Sequence, residues 1–135
     1  MKRMIFLFMV AITAISCDLS DDENAAEYVI SPVQDVTMPA TFKVDSISQI
    51  KIRYKRPTDC HIFNGFYYDA ESYNRTVAIY FAKLNRSDCA PTENVFEVPL
   101  DFKPKYAGTY TFKFWDGSNE DGTDHFTEYQ AVVRQ

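Results

Sequence analysis

The chain is poor in the residues from which common catalytic and phosphate-binding motifs are built. Its 135 residues include only 4 glycines and 2 histidines. The sequence contains no Gly-x-Ser-x-Gly, no His-Glu-x-x-His and no glycine-rich phosphate-binding loop. His61 and His125 stand outside the cysteine and histidine spacings that zinc sites use. We therefore expect neither catalytic residues nor a cofactor, and we do not expect an enzyme.

A basic stripe is also missing from the sequence. Lysine and arginine total 14 against 19 aspartates and glutamates, which gives a formal net charge of −5. If Lys2 and Arg3 are removed with a leader, 12 cations remain against 19 acids, or about −7. Because a surface of that charge repels phosphate backbones, nucleic acid is not an expected partner.

Amphipathic helices of ten or more residues are absent, and the regular pattern that is present is that of β-strands. The composition is 46% hydrophobic and 16% aromatic, which suits a folded domain that packs large rings. The clearest strand lies within residues 104–117, where Tyr110, Phe112 and Phe114 share one face. The other face carries Thr109, Thr111, Lys113 and Trp115. Such alternation is typical of an antiparallel sheet that packs on one side only.

Alternating patterns and turn signals predict about seven strands in all. The first is interrupted at Pro32, which indicates an edge strand, since proline has no amide hydrogen. Both faces of residues 76–84 are apolar, so this strand is expected at a central position. The strand interrupted at Pro32 covers residues 27–38. The remaining predicted strands cover residues 41–44, 49–55, 62–69, 95–102 and 126–133. Their spacing predicts a β-sandwich.

A short sequence at the start of the clearest strand resembles a family feature. Ala107-Gly108-Thr109-Tyr110, preceded by Leu100-Asp101-Phe102, is similar to the corner between strands E and F of immunoglobulin-like domains. The resemblance implies an antiparallel, immunoglobulin-like β-sandwich in which the Tyr110 ring is buried and its hydroxyl bonds to backbone near residues 102–105. Phe112 occupies the place of the antibody cysteine, so only the architecture is carried over.

The first sixteen residues are expected to be a signal peptide. Lys2 and Arg3 precede an apolar run over residues 4–15, which is too short to span a bilayer. The run ends in Ala14-Ile15-Ser16-Cys17, which resembles the lipobox of bacterial lipoproteins. The resemblance implies that Cys17 becomes the acylated N-terminus, for example with palmitate, and anchors the protein to a membrane. An ordinary secretory cleavage site is the alternative.

An acidic tether over residues 17–26 is predicted to separate this anchor from a single domain over residues 27–135. Ser20, Asp21, Asp22 and Glu23 resemble the signal that exports Bacteroidetes lipoproteins to the outer face of the outer membrane. The resemblance implies an outer-membrane protein that faces the cell exterior. The alternative is a charged linker at the periplasmic face.

The odd number of cysteines, 3 in all, is consistent with that anchor. With lipid on Cys17, Cys60 and Cys89 remain as a pair in an oxidising compartment, and we expect a disulfide between them. Two buried free thiols are the alternative.

Four aromatic side chains are predicted to form a ligand platform. Trp115 shares a strand face with polar residues and is expected to point to solvent, while Tyr67, Tyr68 and Tyr73 lie near a turn. Flat rings at loop ends suit a patch that binds a sugar or a protein. The alternative is a small hydrophobic cluster that buries these rings beneath the loops.

Two weaker sites are suggested by short patterns. Carboxylates in the last hairpin could coordinate calcium, but Gly122 is misplaced for an EF-hand, which favours an ordinary solvated loop and no metal. These carboxylates belong to Asp116, Glu120, Asp121 and Asp124. Asp45-Ser46-Ile47 resembles the O-glycosylation motif of exported Bacteroidetes proteins, which implies a modified Ser46; a plain turn is the alternative.

Together these features favour a non-catalytic outer-membrane lipoprotein. Its expected role is that of a binding or accessory module for a glycan or a protein ligand. The alternative is a structural or inhibitory envelope protein that engages another protein through a strand edge or a loop.

Overall fold

The computed structural model describes residues 26–135, which form nine β-strands in two sheets. The predicted signal peptide, the lipidation site Cys17 and the export signal at residues 20–23 lie outside the described residues. Within the described part, no helix is long and apolar enough to cross a membrane. The strands are β1 (Ala26–Ser31), β2 (Asp35–Thr37), β3 (Phe42–Lys43), β4 (Ser48–Lys55), β5 (His61–Glu71), β6 (Asn74–Leu84), β7 (Val95–Phe102), β8 (Gly108–Ser118) and β9 (Asp124–Arg134).

The larger sheet has six strands arranged around β6. β5 pairs antiparallel with one edge of β6, and the other edge is shared by two strands. β1 pairs antiparallel with residues 79–84, and β8 pairs parallel with residues 74–77. β9 then pairs antiparallel with β8, and the short β3 pairs parallel with β9. The predicted central position of residues 76–84 is therefore confirmed.

The smaller sheet contains β2, β4 and β7, all antiparallel. The inner faces of the two sheets enclose the core, as the alternation of apolar residues predicted. β4 contributes Ile50, Ile52 and Tyr54, all of them buried. The larger sheet contributes the fully buried rings of Phe81, Tyr110, Phe112 and Phe114.

Two expectations about the sheets are wrong. The larger sheet is mixed and not wholly antiparallel, because β8 and β3 each run parallel to a neighbour. Residues 26–135 also form nine strands instead of about seven. The predicted first strand divides at Pro32: the Val33 amide bonds to the Trp115 carbonyl of β8 at 2.8 Å, and the Gln34 amide bonds to the Arg53 carbonyl of β4 at 2.8 Å. The chain thus crosses from one sheet to the other where proline ends the pairing with β6.

The predicted disulfide is present. Cys60 and Cys89 are bonded with their Cα atoms 5.5 Å apart. Cys60 is fully buried just before β5, and Cys89 lies in the loop after β6. The bond therefore fixes this loop to the start of β5.

Candidate functional site

A concave surface lies beside the β5–β6 hairpin. Tyr68 pairs with Val77 and so belongs to the inner face of the larger sheet, yet 42% of its surface is exposed. A cleft of about 720 Å³ opens here between the hairpin and the segment that joins β7 to β8. We call it the edge cleft; its side chains include Tyr68, Tyr73, Arg75, Lys103, Lys105 and Tyr106, with Phe102 and Tyr110 beneath them.

Three tyrosine rings in the edge cleft remain exposed. Tyr68, Tyr73 and Tyr106 are 42%, 41% and 68% exposed. Exposed rings of this kind present a flat apolar face and a hydroxyl group together. The edge cleft can therefore contact both the apolar and the polar parts of a ligand.

The Tyr73 ring is held in place by its surroundings. It packs edge-on against Tyr110 at 4.9 Å, and its hydroxyl donates to the Ala107 carbonyl at 3.4 Å. Gly108 lies directly beneath it with a φ of +144°, and a Cβ atom there would come within 2.9 Å of the ring. Only glycine fits both that backbone conformation and that contact. The Tyr73 ring therefore has a fixed position in the lining of the cleft.

Arg75 is fixed at the floor of the edge cleft by its backbone and aromatic contacts. Its Nη1 donates to the carbonyl of Ser72 in the β5–β6 turn at 2.8 Å and to that of Asn74, the first residue of β6, at 2.6 Å. The guanidinium lies 4.9 Å from the ring centre of Tyr110 and 6.0 Å from that of Phe102. These contacts hold a positive charge within an aromatic setting.

The same arginine acts on the hydroxyl of its neighbour Tyr68. Partial burial raises the pKa of Tyr68 above its ordinary value, and the nearby Arg75 guanidinium partly opposes that rise. The phenol therefore stays protonated at neutral pH and can donate a hydrogen bond to a ligand.

The edge cleft is positively charged although the chain is acidic. Arg75, Lys103 and Lys105 line it, and Asp101 is the one carboxylate among its lining residues. The Asp101 carboxylate accepts a hydrogen bond from Gln49 Nε2 at 3.1 Å. Since the chain carries a formal net charge of −5, this is a local reversal of its overall sign.

Trp115 and Tyr67 lie elsewhere, on the outer face of the larger sheet. They line a groove of about 320 Å³ together with Phe126 and Asp124, which we call the outer groove. Trp115 Nε1 donates to the Asp124 carboxylate at 3.0 Å, and the indole is half-buried where we expected it to be exposed. Tyr67 is 45% exposed.

The predicted platform is therefore two separate surfaces. Tyr67 and Tyr68 are consecutive on β5, so their side chains leave opposite faces of the sheet. Tyr68 and Tyr73 meet in the edge cleft, whereas Tyr67 and Trp115 meet in the outer groove.

Sequence reasoning missed Tyr106 and the cations of the edge cleft. The available signal was Lys103-Pro104-Lys105-Tyr106, in which an exposed ring follows two exposed lysines around a buried proline. Alternation of this kind marks a segment whose charged side chains point away from the core.

The acidic hairpin uses most of its carboxylates internally. Asp116 bonds to Thr127 and His125, which outweigh its partial burial and lower its pKa. The amide and hydroxyl of Thr123 lower the pKa of Asp121. Within residues 26–135, the one group of three potential metal ligands is Asp59 with Cys60 and Cys89, whose sulfurs form the disulfide. The four calcium candidates are thus not gathered into such a group.

Ser46 lies exposed in the turn between β3 and β4. The turn is tight, since Asp45 has a φ of 57° and the Ser46 amide bonds to the Lys43 carbonyl at 3.3 Å. Both the plain turn and a modified hydroxyl fit this position.

What the edge cleft offers chemically is binding. Its rings can stack on apolar surfaces, while its cations and hydroxyls can donate hydrogen bonds to oxygen atoms. Its volume lies within the range of small-molecule sites. Neither a known protein family, nor a curated protein, nor a solved structure matches the chain.

Proposed function

We propose that this protein is a lipid-anchored outer-membrane module that binds a glycan without catalysing a reaction. The observation that carries the proposal is the edge cleft, in which three exposed tyrosine rings surround about 720 Å³. A pyranose ring has an apolar face of C–H groups and a rim of hydroxyls. Tyrosine matches both, since its ring packs on the apolar face and its hydroxyl bonds to the rim.

Anchoring at Cys17 would keep the domain near the membrane. The residues between Cys17 and Ala26 reach at most about 30 Å when fully extended. Export through residues 20–23 would display the edge cleft to polysaccharides outside the cell. Both steps derive from the lipoprotein resemblance.

We also propose that the domain is a divergent immunoglobulin-like sandwich. In support, Tyr110 is buried and its hydroxyl donates to the Tyr106 carbonyl at 3.1 Å, four residues upstream. This is the bond expected at the corner between strands E and F, one residue beyond the predicted range of acceptors. The parallel pairing of β6 with β8 departs from the family pattern.

The binding proposal is tested with a glycan array probed with the exported protein. We expect signals that are lost on Tyr106→Ala, because this ring is exposed and its removal leaves the core untouched. Tyr28→Ala is the matched control, since Tyr28 is 59% exposed on β1 and stacks on Tyr80, away from the cleft. Equal signals from the unmodified and Tyr106→Ala proteins would refute binding at the edge cleft.

The anchor is tested separately. A Cys17→Ser protein should leave the detergent phase and the membrane fraction; if it remains there, the lipoprotein assignment is wrong.

Replacing Asp21, Asp22 and Glu23 with alanine should keep the protein lipidated but protect it from protease added to whole cells. Unchanged cleavage would contradict the export signal.

A structural or inhibitory role is the second candidate function. It is favoured by open strand edges such as those of β5 and β7, since among the described strands β5 pairs only with β6 and β7 only with β4. Such edges can accept a strand from another protein. This role would be favoured over sugar binding if a protein partner binds, if that binding is abolished by an edge substitution such as Val95→Lys, and if no glycan gives a signal on the array.

A further inference from the structure

We propose that the edge cleft is selective for saccharides that carry carboxylate groups, with Arg75 as the residue that receives the carboxylate. This inference rests on the proposed glycan-binding function and names the class of sugar. It is carried by the charge of the edge cleft and by the way Arg75 is held.

The charge argument begins with the segment after β7. Phe102 and Pro104 are buried, while Lys103 and Lys105 between and after them are exposed. The buried residues fix the backbone of this segment, and both lysines line the edge cleft. With Arg75 at the floor, three cations line the space that a ligand would fill. A carboxylate entering the cleft is attracted by all three.

Arg75 is pre-organised for a planar anion. Its two hydrogen bonds to backbone carbonyls both use Nη1. The Tyr68 hydroxyl is a further partner of the guanidinium, so a carboxylate bound there would lie beside a phenol that can also donate to it. The side Nε–Nη2 of a guanidinium matches the two oxygens of a carboxylate. Stacking on Tyr110 at 4.9 Å limits the rotamers that binding would otherwise have to freeze.

The tyrosines provide the second half of the selectivity. A free inorganic anion would use the cations but leave the rings of Tyr68, Tyr73 and Tyr106 uncovered. A neutral sugar would cover the rings but leave Arg75 without an anionic partner. An acidic sugar uses both sets of contacts, and we therefore expect it to bind more tightly than either.

The test uses pairs of oligosaccharides that differ only in charge. Titration calorimetry on the exported protein compares carboxylate-bearing oligosaccharides, such as oligogalacturonate and sialylated oligosaccharides, with their methyl esters. We expect the affinity for each acid that binds to be about tenfold or more higher than that for its ester, a difference of about 1.4 kcal/mol in binding free energy. The preference should fall as salt is added, because charge attraction is screened.

Variants connect that preference to particular residues. Arg75→Gln, and separately the pair Lys103→Gln with Lys105→Gln, should lower the affinity for the acid and leave that for the ester unchanged. The lysine pair is exposed, so it tests the charge argument even if Arg75→Gln impairs folding. Lys113→Gln is the matched control, since Lys113 pairs with Glu128 at 3.3 Å on the outer face.

The outcomes separate this inference from the proposed function. If acids and esters bind equally, or only neutral glycans bind, selectivity for carboxylates is overturned while glycan binding stands. If inorganic sulfate competes as well as the acidic sugars, the cleft is a simple anion site and the inference is also overturned. If no glycan of any charge binds, both proposals fall.

Discussion

Tyr110 links the core to the floor of the edge cleft. Its ring is buried against Phe102 at 5.2 Å and Tyr73 at 4.9 Å, and its other side faces the Arg75 guanidinium. Its hydroxyl bonds to the Tyr106 carbonyl, which fixes the segment that carries the most exposed ring of the cleft. One residue thus orders three residues that we assign to ligand binding.

Removing the Tyr110 hydroxyl should therefore destabilise the fold. Tyr110→Phe leaves a partly buried carbonyl without its donor, and we expect a loss of about 1 kcal/mol in the free energy of unfolding. Tyr67→Phe, on an exposed ring, should cost less than about 0.5 kcal/mol. Urea denaturation at matched slope measures both. Equal midpoints for Tyr110→Phe and the unmodified protein would argue against the corner as described.

His61 should make stability depend on pH. Burial, and secondly the charge of Lys83, lower the pKa of His61 in the folded protein. The contribution of His61 to the free energy of unfolding is therefore complete above the unfolded pKa of about 6.5. It is lost as the pH falls below that value, because the imidazole then binds a proton more readily in the unfolded chain than in the folded protein.

The comparison is between urea unfolding at pH 7.5 and at pH 5.5, for the unmodified protein and for His61→Gln. We expect the drop in unfolding free energy at the lower pH to be smaller in the variant. Since His125 is present in both proteins, it does not affect the difference. An identical pH dependence would show that His61 is not responsible.

Strands were predictable from the sequence, but their neighbours were not. The alternation of Ile50, Ile52 and Tyr54 defines which face is buried, because side chains alternate along any strand. It does not say which strand lies alongside. The parallel contact of β6 with β8 joins residues far apart in the chain and depends on β1 occupying only part of the β6 edge.

The candidate site was predictable only in part for the same reason. Tyr68 and Tyr73 were named from their exposed turn, but whether they join Trp115 depends on strand faces and on the limited width of the smaller sheet. Tyr106 and Arg75 enter the edge cleft through packing between separate elements. A local sequence pattern does not indicate contacts between distant segments of the chain.

The disulfide should stabilise the β5–β6 region strongly. It closes a loop with a sequence separation of 29, which the chain-entropy account values at about 3 to 4 kcal/mol. We expect the double variant Cys60→Ala with Cys89→Ala to lose about that much in urea unfolding. A reductant should destabilise the unmodified protein by a similar amount and leave the variant unchanged. Insensitivity of the unmodified protein to reductant would contradict this role.

At the scale of the whole molecule, the domain combines a rigid sandwich with two different surfaces. The inner faces are closed by core rings, while the edge cleft lies open between the β5–β6 hairpin and the segment that joins β7 to β8. Three cations and one carboxylate line this cleft, although the chain as a whole is acidic. These features are the basis of our proposal that the protein binds acidic polysaccharide outside the cell.

The most direct test of that account uses Tyr68 and Tyr67, which are neighbours in sequence, similarly exposed and on opposite faces of one strand. Titration calorimetry with a glycan identified on the array compares Tyr68→Ala with Tyr67→Ala. We expect Tyr68→Ala to weaken binding by about tenfold, which corresponds to the loss of one stacked ring, and Tyr67→Ala to leave it unchanged. The opposite result, a loss with Tyr67→Ala alone, would move the site to the outer groove and contradict binding in the edge cleft.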